Sequence, residues 1–464
     1  MSGLFGVIGK KNCVDLLFYG TDYHSHLGTE KAGIAIINSR IERSIHDIST
    51  SQFKSKFNSE ISSLKASLGI GVISDNEPQP ITISSSFGKF VIATSGLLSN
   101  KDQLAREMMN KGESFSELSK GEINPTEVAG KIIASKESIA KGIEYLFSKV
   151  KGSLSVLVLS KEGIYAGRDK FGRTPLLIGK KSDFIAVASE SCSFPNLGFE
   201  IIKELLPGEI ILLTKKGLLE KLPGEKNEKI CSFLWIYTGY PASLYDGVSV
   251  EVVRERCGKN LAKGDNLKAD LVTGIPDSGI IHGLGYAIES KIPYRQALVK
   301  YTPGYGRSYT PPSQEARNKI AQLKLIPVKQ VIEGNKIVIC DDSIVRGTQL
   351  RNQAIQKLWH CGAKEIHVRI SCPPLMYPCL YCLSTRTKKE LAARRAIRKI
   401  SGEDKKKLNV RKYLDDKGEP FQKMVEEIRK ELEVTSLKYL NIDLMIEAIG
   451  LSKDRLCTYC WRGE

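Results

Sequence analysis

The sequence predicts two domains of different fold class, an α+β first half with a layered, mostly antiparallel sheet structure and an α/β second half with a parallel sheet. Three observations predict this division. The chain of 464 residues is about three times the length of a ~150-residue domain, so its length allows two large domains or three small ones. Short β-type runs fill its first half, and strands alternate with helical segments in its second half. With 41% hydrophobic and 26% charged residues, the composition is that of a folded globular protein and excludes disorder.

Seven short apolar runs separated by Gly, Ser and Asn predict the strands of the first half. They are FGVIG, AGIAIIN, LGIGVIS, FVIATSG, LSVLVLS, FIAVASE and EIILLT. The polar segment 221–229, KLPGEKNEK, then contains Pro and Gly, as domain junctions often do. We therefore predict domains at residues 1–225 and 226–464.

The second half alternates Val/Ile-rich runs with amphipathic segments, which predicts βαβ units and a parallel sheet buried on both faces. The segments are ADLVTGIPDSG, HGLGYAIES, NKIVICDDSIVRGTQ, LRNQAIQKLWHCG and EIHVRIS. Ligands of such sheets bind at the carboxyl ends of the strands. The strands predicted in ADLVTGIPDSG and NKIVICDDSIVRGTQ are each followed by polar residues. These polar residues are therefore the first candidates for a site.

About half of the net charge of +17 lies in one segment, since twelve Lys/Arg face three Asp/Glu between Arg386 and Lys412, a net charge of +9. Ala and Ile at helical spacing predict a solvated, Lys-rich helix there, with steering of anionic ligands as the alternative. No basic motif with interleaved aromatic residues indicates a nucleic-acid partner. The N-terminus lacks a secretory pattern and no run of 18 apolar residues indicates a membrane partner, so we expect a cytoplasmic protein.

The strongest motif is NKIVICDDSIVRGTQLR, residues 335–351. An apolar strand delivers Asp341 and Asp342, and a short loop then leads into a helix. The loop from Ser343 to Thr348 can direct backbone N–H groups and hydroxyls at a phosphate, with the positive end of the helix dipole behind them. Gly347 allows the backbone to approach closely. The two carboxylates suit ribose hydroxyls and a divalent cation that bridges them to phosphate oxygens.

This motif resembles the phosphoribosyl pyrophosphate loop of type I phosphoribosyltransferases, and its longer form is similar to that of the glutamine phosphoribosylpyrophosphate amidotransferases of purine synthesis. GIPDSGI, from Gly274 to Ile280, resembles the pyrophosphate loop of the same family. The resemblance implies a four-layer αββα domain of the N-terminal-nucleophile type followed by a type I phosphoribosyltransferase domain. It also implies a homo-oligomer and purine nucleotides as inhibitors.

The resemblance implies Mg²⁺ near Ser278, Asp341 and Asp342. A loop between the two motifs, marked by Gly304, Gly306 and Pro311-Pro312, is expected to close over the donor while basic residues stabilise departing pyrophosphate. The residues implied to bind phosphoribosyl pyrophosphate are Asp277, Ser278, Gly279, Lys300, Arg307, Lys324, Asp341, Asp342, Ser343, Ile344, Val345, Arg346, Gly347 and Thr348.

Eleven cysteines without an export signal make a structural disulfide framework an unlikely interpretation and point to metal or redox chemistry. Cys457 and Cys460 form a CxxC pair, in which one metal ion or cluster can bind both thiolates. Cys231 and Cys379, from distant segments, would bring the number of ligands to four. Spacing alone does not separate Zn²⁺ from a [4Fe–4S] cluster. Resemblance to the iron–sulfur branch of the family implies the cluster, with zinc or free thiols as the alternatives and Cys382 as an alternative ligand.

The N-terminus, SGLFGVIG, resembles the start of a glutaminase domain whose nucleophile is the first residue, but Ser2 occupies the position of the family's cysteine. The arginine that grips the glutamine carboxylate is replaced around Val72, and the Asn-Gly oxyanion element is Ser95-Gly96. The Ser-Asp-Thr-Glu segment that holds the substrate amine is now 124–127, NPTE, and HSHLGTEKAG lacks the usual Arg-Gly-Gln. We therefore doubt that Ser2 acts on glutamine.

Three hypotheses follow. The first is transfer of nitrogen to C1 of phosphoribosyl pyrophosphate, with ammonia from solution or from a partner glutaminase. The second keeps the donor but uses a different acceptor, such as another amine or a purine-like base. The third is a nucleotide or iron–sulfur redox sensor that turns nothing over.

Overall fold

The computed structural model describes residues 2–301, 325–382, 391–402 and 408–464. The strands of its first half are β1 (Gly3–Gly9), β2 (Lys31–Ile37), β3 (Ile41–Asp47), β4 (Leu68–Ser74), β5 (Ile81–Ser85), β6 (Gly88–Leu98), β7 (Leu118–Ser119), β8 (Glu122–Ile123), β9 (Gly152–Ser160), β10 (Gly163–Arg168), β11 (Leu177–Lys181), β12 (Phe184–Ala188), β13 (Glu200–Glu204), β14 (Ile210–Thr214) and β15 (Gly217–Leu222). Its helices are α1 (Val14–Asp22), α2 (Phe53–Ile61), α3 (Lys101–Met109), α4 (Pro125–Ala134), α5 (Ile139–Lys149) and α6 (Phe194–Leu197).

Two antiparallel sheets form the centre of this half. One has seven strands in the order β13-β11-β12-β1-β4-β2-β3, and the other has six in the order β15-β14-β10-β9-β6-β5. Apolar residues of the facing strands, such as Ile70 and Leu157, pack between the sheets. Helices α1 and α2 cover the outer face of the first sheet, and α3, α4 and α5 cover that of the second. The predicted αββα layering is confirmed.

The second half contains β16 (Ile230–Cys231), β17 (Leu244–Tyr245), β18 (Val248–Ser249), β19 (Leu271–Gly274), β20 (Leu298–Lys300), β21 (Leu325–Pro327), β22 (Lys336–Asp341), β23 (Glu365–Ile370), β24 (Ser436–Tyr439) and β25 (Leu456–Cys457). Its helices are α7 (Val250–Ala262), α8 (Gly279–Ser290), α9 (Lys329–Ile332), α10 (Thr348–Leu350), α11 (Gln356–His360), α12 (Ala392–Ser401), α13 (Glu419–Leu432), α14 (Ile442–Ile449) and α15 (Tyr459–Arg462). A π-helical turn, Arg351–Ile355, joins α10 to α11.

The predicted parallel sheet is confirmed and has the order β19-β22-β23-β24, all strands running in the same direction. Its core joins buried residues from Ile230 to Trp461 into one cluster. The short strands β16 and β25 pair in parallel, which brings the C-terminus back to the start of this half. The sheets of the first half end at Leu222, so we propose the boundary at 225/226 as predicted.

The Lys-rich segment contains α12, whose alanines and Ile397 are buried while Lys399 points outward. Residues 386–390 and 403–407 of the predicted helix lie outside the described ranges. In the described part of the chain, the helices are too short or too polar to cross a membrane.

Candidate functional site

The two predicted phosphate-binding loops lie at the same edge of the parallel sheet. Strands β19 and β22 are neighbours, with Gly274 opposite Cys340 in the register. Each strand ends in a loop that leads directly into a helix, α8 after the first and α10 after the second. Because parallel strands bring their carboxyl ends together, the Asp277–Gly279 loop and the 341–348 loop are adjacent.

Close backbone contacts hold the first loop against β22. The Ile275 N–H donates to the carbonyl of Cys340 at 2.9 Å, and the Gly279 N–H donates to that of Ile275 at 2.7 Å. A Cβ atom at Gly279 would lie 2.4 Å from the Cys340 carbonyl oxygen, so only glycine fits at the start of α8. This close fit places Ser278 beside the carboxylates that follow β22.

Asp341 and Asp342 are 9% and 5% exposed. The Ser278 hydroxyl lies beside both carboxylates and lowers the pKa of each, and the Asp342 N–H donates to Asp341 Oδ1 at 2.9 Å. Burial raises the pKa of both carboxyls, and the charge of Asp342 raises that of Asp341 further. The nearby Arg254 guanidinium opposes the rise at Asp342. Two crowded, desolvated carboxylates are a favourable environment for a cation.

The loop from Ser343 to Gly347 is fixed from behind by α12. The Val345 carbonyl accepts from the Ala392 N–H at 2.8 Å, and the Arg346 carbonyl accepts from Arg395 Nη2 at 2.6 Å. The Ile344 side chain is buried in the core, so its contribution to a ligand can only come from the main chain. Gly347 has φ 77°, a left-handed conformation that favours glycine, immediately before α10.

The predicted basic residues are only partly described. Lys300 ends β20, and its ammonium pairs with the Asp277 carboxylate of the first loop. The structure therefore brings Lys300 to the candidate site. Arg307 and Lys324, with the glycines and prolines of the predicted closing loop, lie outside the described residues.

The crowded carboxylates give a testable effect on stability. We expect Asp341→Asn to raise the free energy of unfolding, without Mg²⁺, by about 1–2 kcal/mol at neutral pH. Burial raises the pKa of Asp341 in the folded state above its value in the unfolded chain. The ionised carboxylate therefore lowers the free energy of unfolding, and this loss is absent at low pH and grows as the pH rises above the unfolded-state pKa. Urea denaturation at pH 4 and pH 7.5 measures it. The exposed Asp270→Asn at the opposite end of the sheet is the control, and an equal gain at both pH values contradicts this interpretation.

A second cluster contains five cysteine thiols. The pairing of β16 with β25 sets Cys231 opposite Cys457, while the Cys460 carbonyl accepts from the N–H groups of Met376 and Tyr377. The pKa of Cys231 is raised because the Cys382 thiol lies against it, and that of Cys460 is raised because Cys379 lies against it. The four predicted ligands and the alternative Cys382 are therefore all in one place.

Arg173 is the residue of this cluster that the sequence did not reveal. Its guanidinium lies 3.6 Å from the ring centre of Tyr381 and against the Cys457 thiol. The residue is 8% exposed, and its Nε and Nη1 atoms are buried without a hydrogen-bond partner in the described part of the chain. A buried, incompletely satisfied cation beside several thiols suits a group that carries negative charge.

Around Ser2, in the position of the family's nucleophile, the protein's own side chains supply the hydrogen-bond partners. Ser2 is buried, and its Oγ accepts from Gln79 Nε2 at 3.3 Å and lies 3.4 Å from Ser74 Oγ. The Gln79 carboxamide is anchored in turn, because it accepts from the Thr94 N–H at 2.8 Å and donates to the Thr94 carbonyl at 3.1 Å. Sequence reasoning missed Gln79, whose role depends on contacts between distant segments.

The other altered glutamine-site positions have structural partners. Val72 is fully buried between the two sheets. Ser95 Oγ donates to the Ser2 carbonyl at 2.5 Å. Asn124 caps α4 by accepting from the Thr126 N–H at 2.9 Å, and Glu127 accepts from two backbone N–H groups of residues 116 and 117.

Comparison with known proteins identifies the family. A family model described as "Glutamine amidotransferase domain" matches residues 65–196. The amidophosphoribosyltransferase of Methanocaldococcus jannaschii is 34% identical over all of this chain and 97% of its own length, and that of Bacillus subtilis is 31% identical over all of this chain and 93% of its own. The chain belongs to the amidophosphoribosyltransferase family. Two solved structures extend the match to the whole fold.

The glutamine phosphoribosylpyrophosphate amidotransferase of B. subtilis, solved with ADP and GMP, superposes with a TM-score of 0.84 at 31% identity, over all of this chain and 96% of that one. A structure titled as the allosteric regulatory enzyme of purine biosynthesis superposes with a TM-score of 0.85 at 30% identity, over all of this chain and 95% of that one. As a member of the amidophosphoribosyltransferase family, the chain is a phosphoribosyltransferase of purine biosynthesis.

Proposed function

We propose that this amidophosphoribosyltransferase transfers nitrogen from ammonia, rather than from the glutamine amide, to C1 of phosphoribosyl pyrophosphate and releases pyrophosphate. One contrast carries the proposal. The donor loops converge at one edge of the parallel sheet, whereas Ser2 is buried and engaged by Gln79. Ammonia would come from solution or from a partner glutaminase.

The donor would bind through the loops already described. Backbone N–H groups and hydroxyls of Ser343–Thr348 would hold the 5-phosphate at the start of α10, and Asp341 and Asp342 would hold the ribose hydroxyls. The Asp277–Gly279 loop would hold the pyrophosphate. The Lys300 ammonium would leave its ion pair with Asp277 and bind a pyrophosphate oxygen. Arg307 and Lys324 would bind the pyrophosphate as well.

The residues would catalyse the transfer by positioning and electrostatics, without a protein nucleophile. Bond breaking at C1 leaves positive charge on the sugar and negative charge on the departing pyrophosphate. The buried carboxylates stabilise the first, and the basic residues with the backbone N–H groups stabilise the second. Exclusion of water from the sugar protects it until ammonia attacks.

Mg²⁺ fits the paired carboxylates. The pKa of each is raised by burial, so a cation would relieve the cost of keeping both ionised. Mg²⁺ is commonly held by one or two carboxylates, several waters and substrate phosphates, which agrees with a site of two carboxylates and the Ser278 hydroxyl. When bound, Mg²⁺ neutralises charge that develops on the pyrophosphate oxygens.

A [4Fe–4S] cluster fits the five thiols and the Arg173 guanidinium, whose charge would balance that of the thiolates. We propose Cys231, Cys379, Cys457 and Cys460 as its ligands and Zn²⁺ as the weaker candidate. In the described residues no three of these donors already surround a single-ion position, so the side chains would reorient on binding. The cluster would tie the C-terminal strand β25 to β16 at the domain junction.

Nucleotide inhibition and a homo-oligomer belong to the same proposal. The B. subtilis structure contains ADP and GMP, and the second matched structure is described as an allosteric regulatory enzyme. Purine nucleotides are therefore proposed as inhibitors of this chain. A cytoplasmic location stays a prediction.

The proposal is tested by measuring pyrophosphate release with Mg²⁺ and phosphoribosyl pyrophosphate, supplying ammonium salt, glutamine or no acceptor in parallel. We expect release with ammonium, rising with pH as the NH₃ fraction grows, and only background release with glutamine. Release with glutamine at the ammonium rate contradicts it. Release with another amine or a base but not with ammonium favours the second hypothesis, and binding without turnover of any acceptor favours the sensor.

Ser2→Ala separates a structural from a catalytic role of this residue. We expect the ammonia-dependent rate to stay within about twofold of the original. The free energy of unfolding should fall by about 1 kcal/mol, because the variant loses the hydrogen bond that the Ser2 hydroxyl accepts from the buried Gln79 side-chain amide. Ser62→Ala in the exposed segment after α2 is the control for stability. A large loss of a glutamine-dependent rate would show that Ser2 is a nucleophile.

A further inference from the structure

An open cleft lies at one end of the two-sheet sandwich in the first half of the chain. Its volume is about 1000 Å³. Its rim is formed by the turns that follow β1, join β2 to β3, precede β4, join β9 to β10 and join β14 to β15. Ile8, Ile37 and Leu68 form its nearly buried floor, and Leu218 and the exposed Leu219 add apolar surface at its side.

The rim of this cleft carries a strong positive charge. Six lysines line it: Lys10, Lys11, Lys65, Lys161, Lys215 and Lys216. Lys10 pairs with Asp183 at 3.4 Å, and the other five form no ion pair within the described ranges. Glu162 is the carboxylate among the described lining residues, and it accepts from the Tyr165 hydroxyl. Five such unpaired lysines around one cleft create a positive potential there, which would attract an anion.

This cleft is separate from both sites already described. Strand β1 runs between it and the Ser2 region, since Ser2 precedes the strand and Lys10 follows it. Seven residues of extended chain span about 23 Å. The donor loops belong to the parallel sheet of the second half. The proposed amidophosphoribosyltransferase reaction therefore uses none of the cleft lysines.

We propose that the cleft binds a small polyphosphate that carries an apolar or planar group, the chemistry of a nucleoside triphosphate. Lysine ammonium groups on separate turns provide several point charges for successive phosphates. The apolar interior provides a surface for a base, which a purely inorganic anion would not use. Asn12, Asn38 and Ser39 at the rim add hydrogen-bonding groups.

Isothermal titration calorimetry of the 464-residue chain tests this site. ATP is titrated without Mg²⁺, with excess ribose 5-phosphate present to fill the proposed donor loop, and inorganic triphosphate and adenosine are titrated in parallel. We expect one ATP per chain at this site, weaker binding of triphosphate and no binding of adenosine. The combined variant Lys161→Glu, Lys215→Glu and Lys216→Glu should weaken ATP binding at least about tenfold.

A matched control carries the same charge change elsewhere. Lys226→Glu, Lys364→Glu and Lys417→Glu alter three exposed lysines outside the cleft and should leave ATP binding unchanged. Both variants should retain phosphoribosyl pyrophosphate turnover, and replacement by Gln serves if the Glu variant does not fold. Equal loss of binding in both variants, or none in the cleft variant, overturns the proposal. Tighter binding of poly-glutamate than of ATP would overturn it in favour of an acidic protein partner.

Discussion

Replacing Asp342 by asparagine should reduce kcat/KM for phosphoribosyl pyrophosphate by about 10³-fold. Asparagine keeps the size of the side chain and can still accept a hydrogen bond, but it removes the charge that the cation and the reacting sugar require. The buried position, 5% exposed, offers no solvent to compensate. Steady-state pyrophosphate release over a range of Mg²⁺ concentrations measures the effect.

The matched control for this variant is Asp270→Asn. Asp270 is exposed and precedes β19, so it lies at the opposite end of the same sheet. It accepts from the Lys336 N–H at 2.7 Å, a bond that asparagine can keep. The control should retain full activity. A loss below tenfold for Asp342→Asn that excess Mg²⁺ fully restores would show that this carboxylate only assists cation binding.

Cys457→Ser should remove the proposed cluster and destabilise the junction between the domains. Iron bound per chain is expected to fall from about four to near zero, because a serine hydroxyl is a poor replacement for thiolate. The free energy of unfolding should fall by about 3 kcal/mol or more, since the C-terminal strand would lose its covalent tie to β16. Iron analysis, visible absorption and urea denaturation, under anaerobic conditions, measure these effects.

Two further cysteine variants control this experiment. Cys361→Ser, at the partly buried end of α11, should keep its iron. Cys382→Ser should also keep it if Cys379 is the fourth ligand, as proposed, and should lose it if Cys382 takes that place. Iron-free protein with one zinc per chain would contradict the cluster and favour the zinc alternative.

The fold was predictable because the buried strands are apolar along their whole length. Strand β4 is buried throughout and β9 from its second residue onward, and their Val, Ile and Leu residues are easily recognised in the sequence. Strands with mixed residues were missed. Ile41–Asp47 is an edge strand with charged residues and no fully buried side chain, and Ser436–Tyr439 is a short strand at the edge of the parallel sheet.

The donor loops were predictable because each is contiguous in sequence and follows a strand. Contacts between distant segments were not. Gln79 meets Ser2 across 77 positions, and Arg173 meets Cys457 and Tyr381 from the other domain. The lysine cleft likewise combines five separate turns, each of which looks like an ordinary solvated loop in the sequence.

The positions that differ from the family's glutamine site take part in the packing and hydrogen bonding of the first half. Val72 belongs to the apolar layer between the sheets, and Asn124 caps a helix. These contacts form without a bound substrate. The glutamine amidotransferase match over residues 65–196 is compatible with the proposed use of ammonia, because a fold match does not depend on these individual side chains.

The central claim, that ammonia and not glutamine supplies the nitrogen, is tested most directly by isotope labelling. The enzyme is given phosphoribosyl pyrophosphate labelled with ¹³C at C1, ¹⁵N-ammonium and an equal concentration of unlabelled glutamine. Carbon NMR of the product reads which nitrogen is attached to C1. We expect every product C1 signal to be split by ¹⁵N. A product whose C1 signal is mainly unsplit would contradict the claim and show that the glutamine amide is the source.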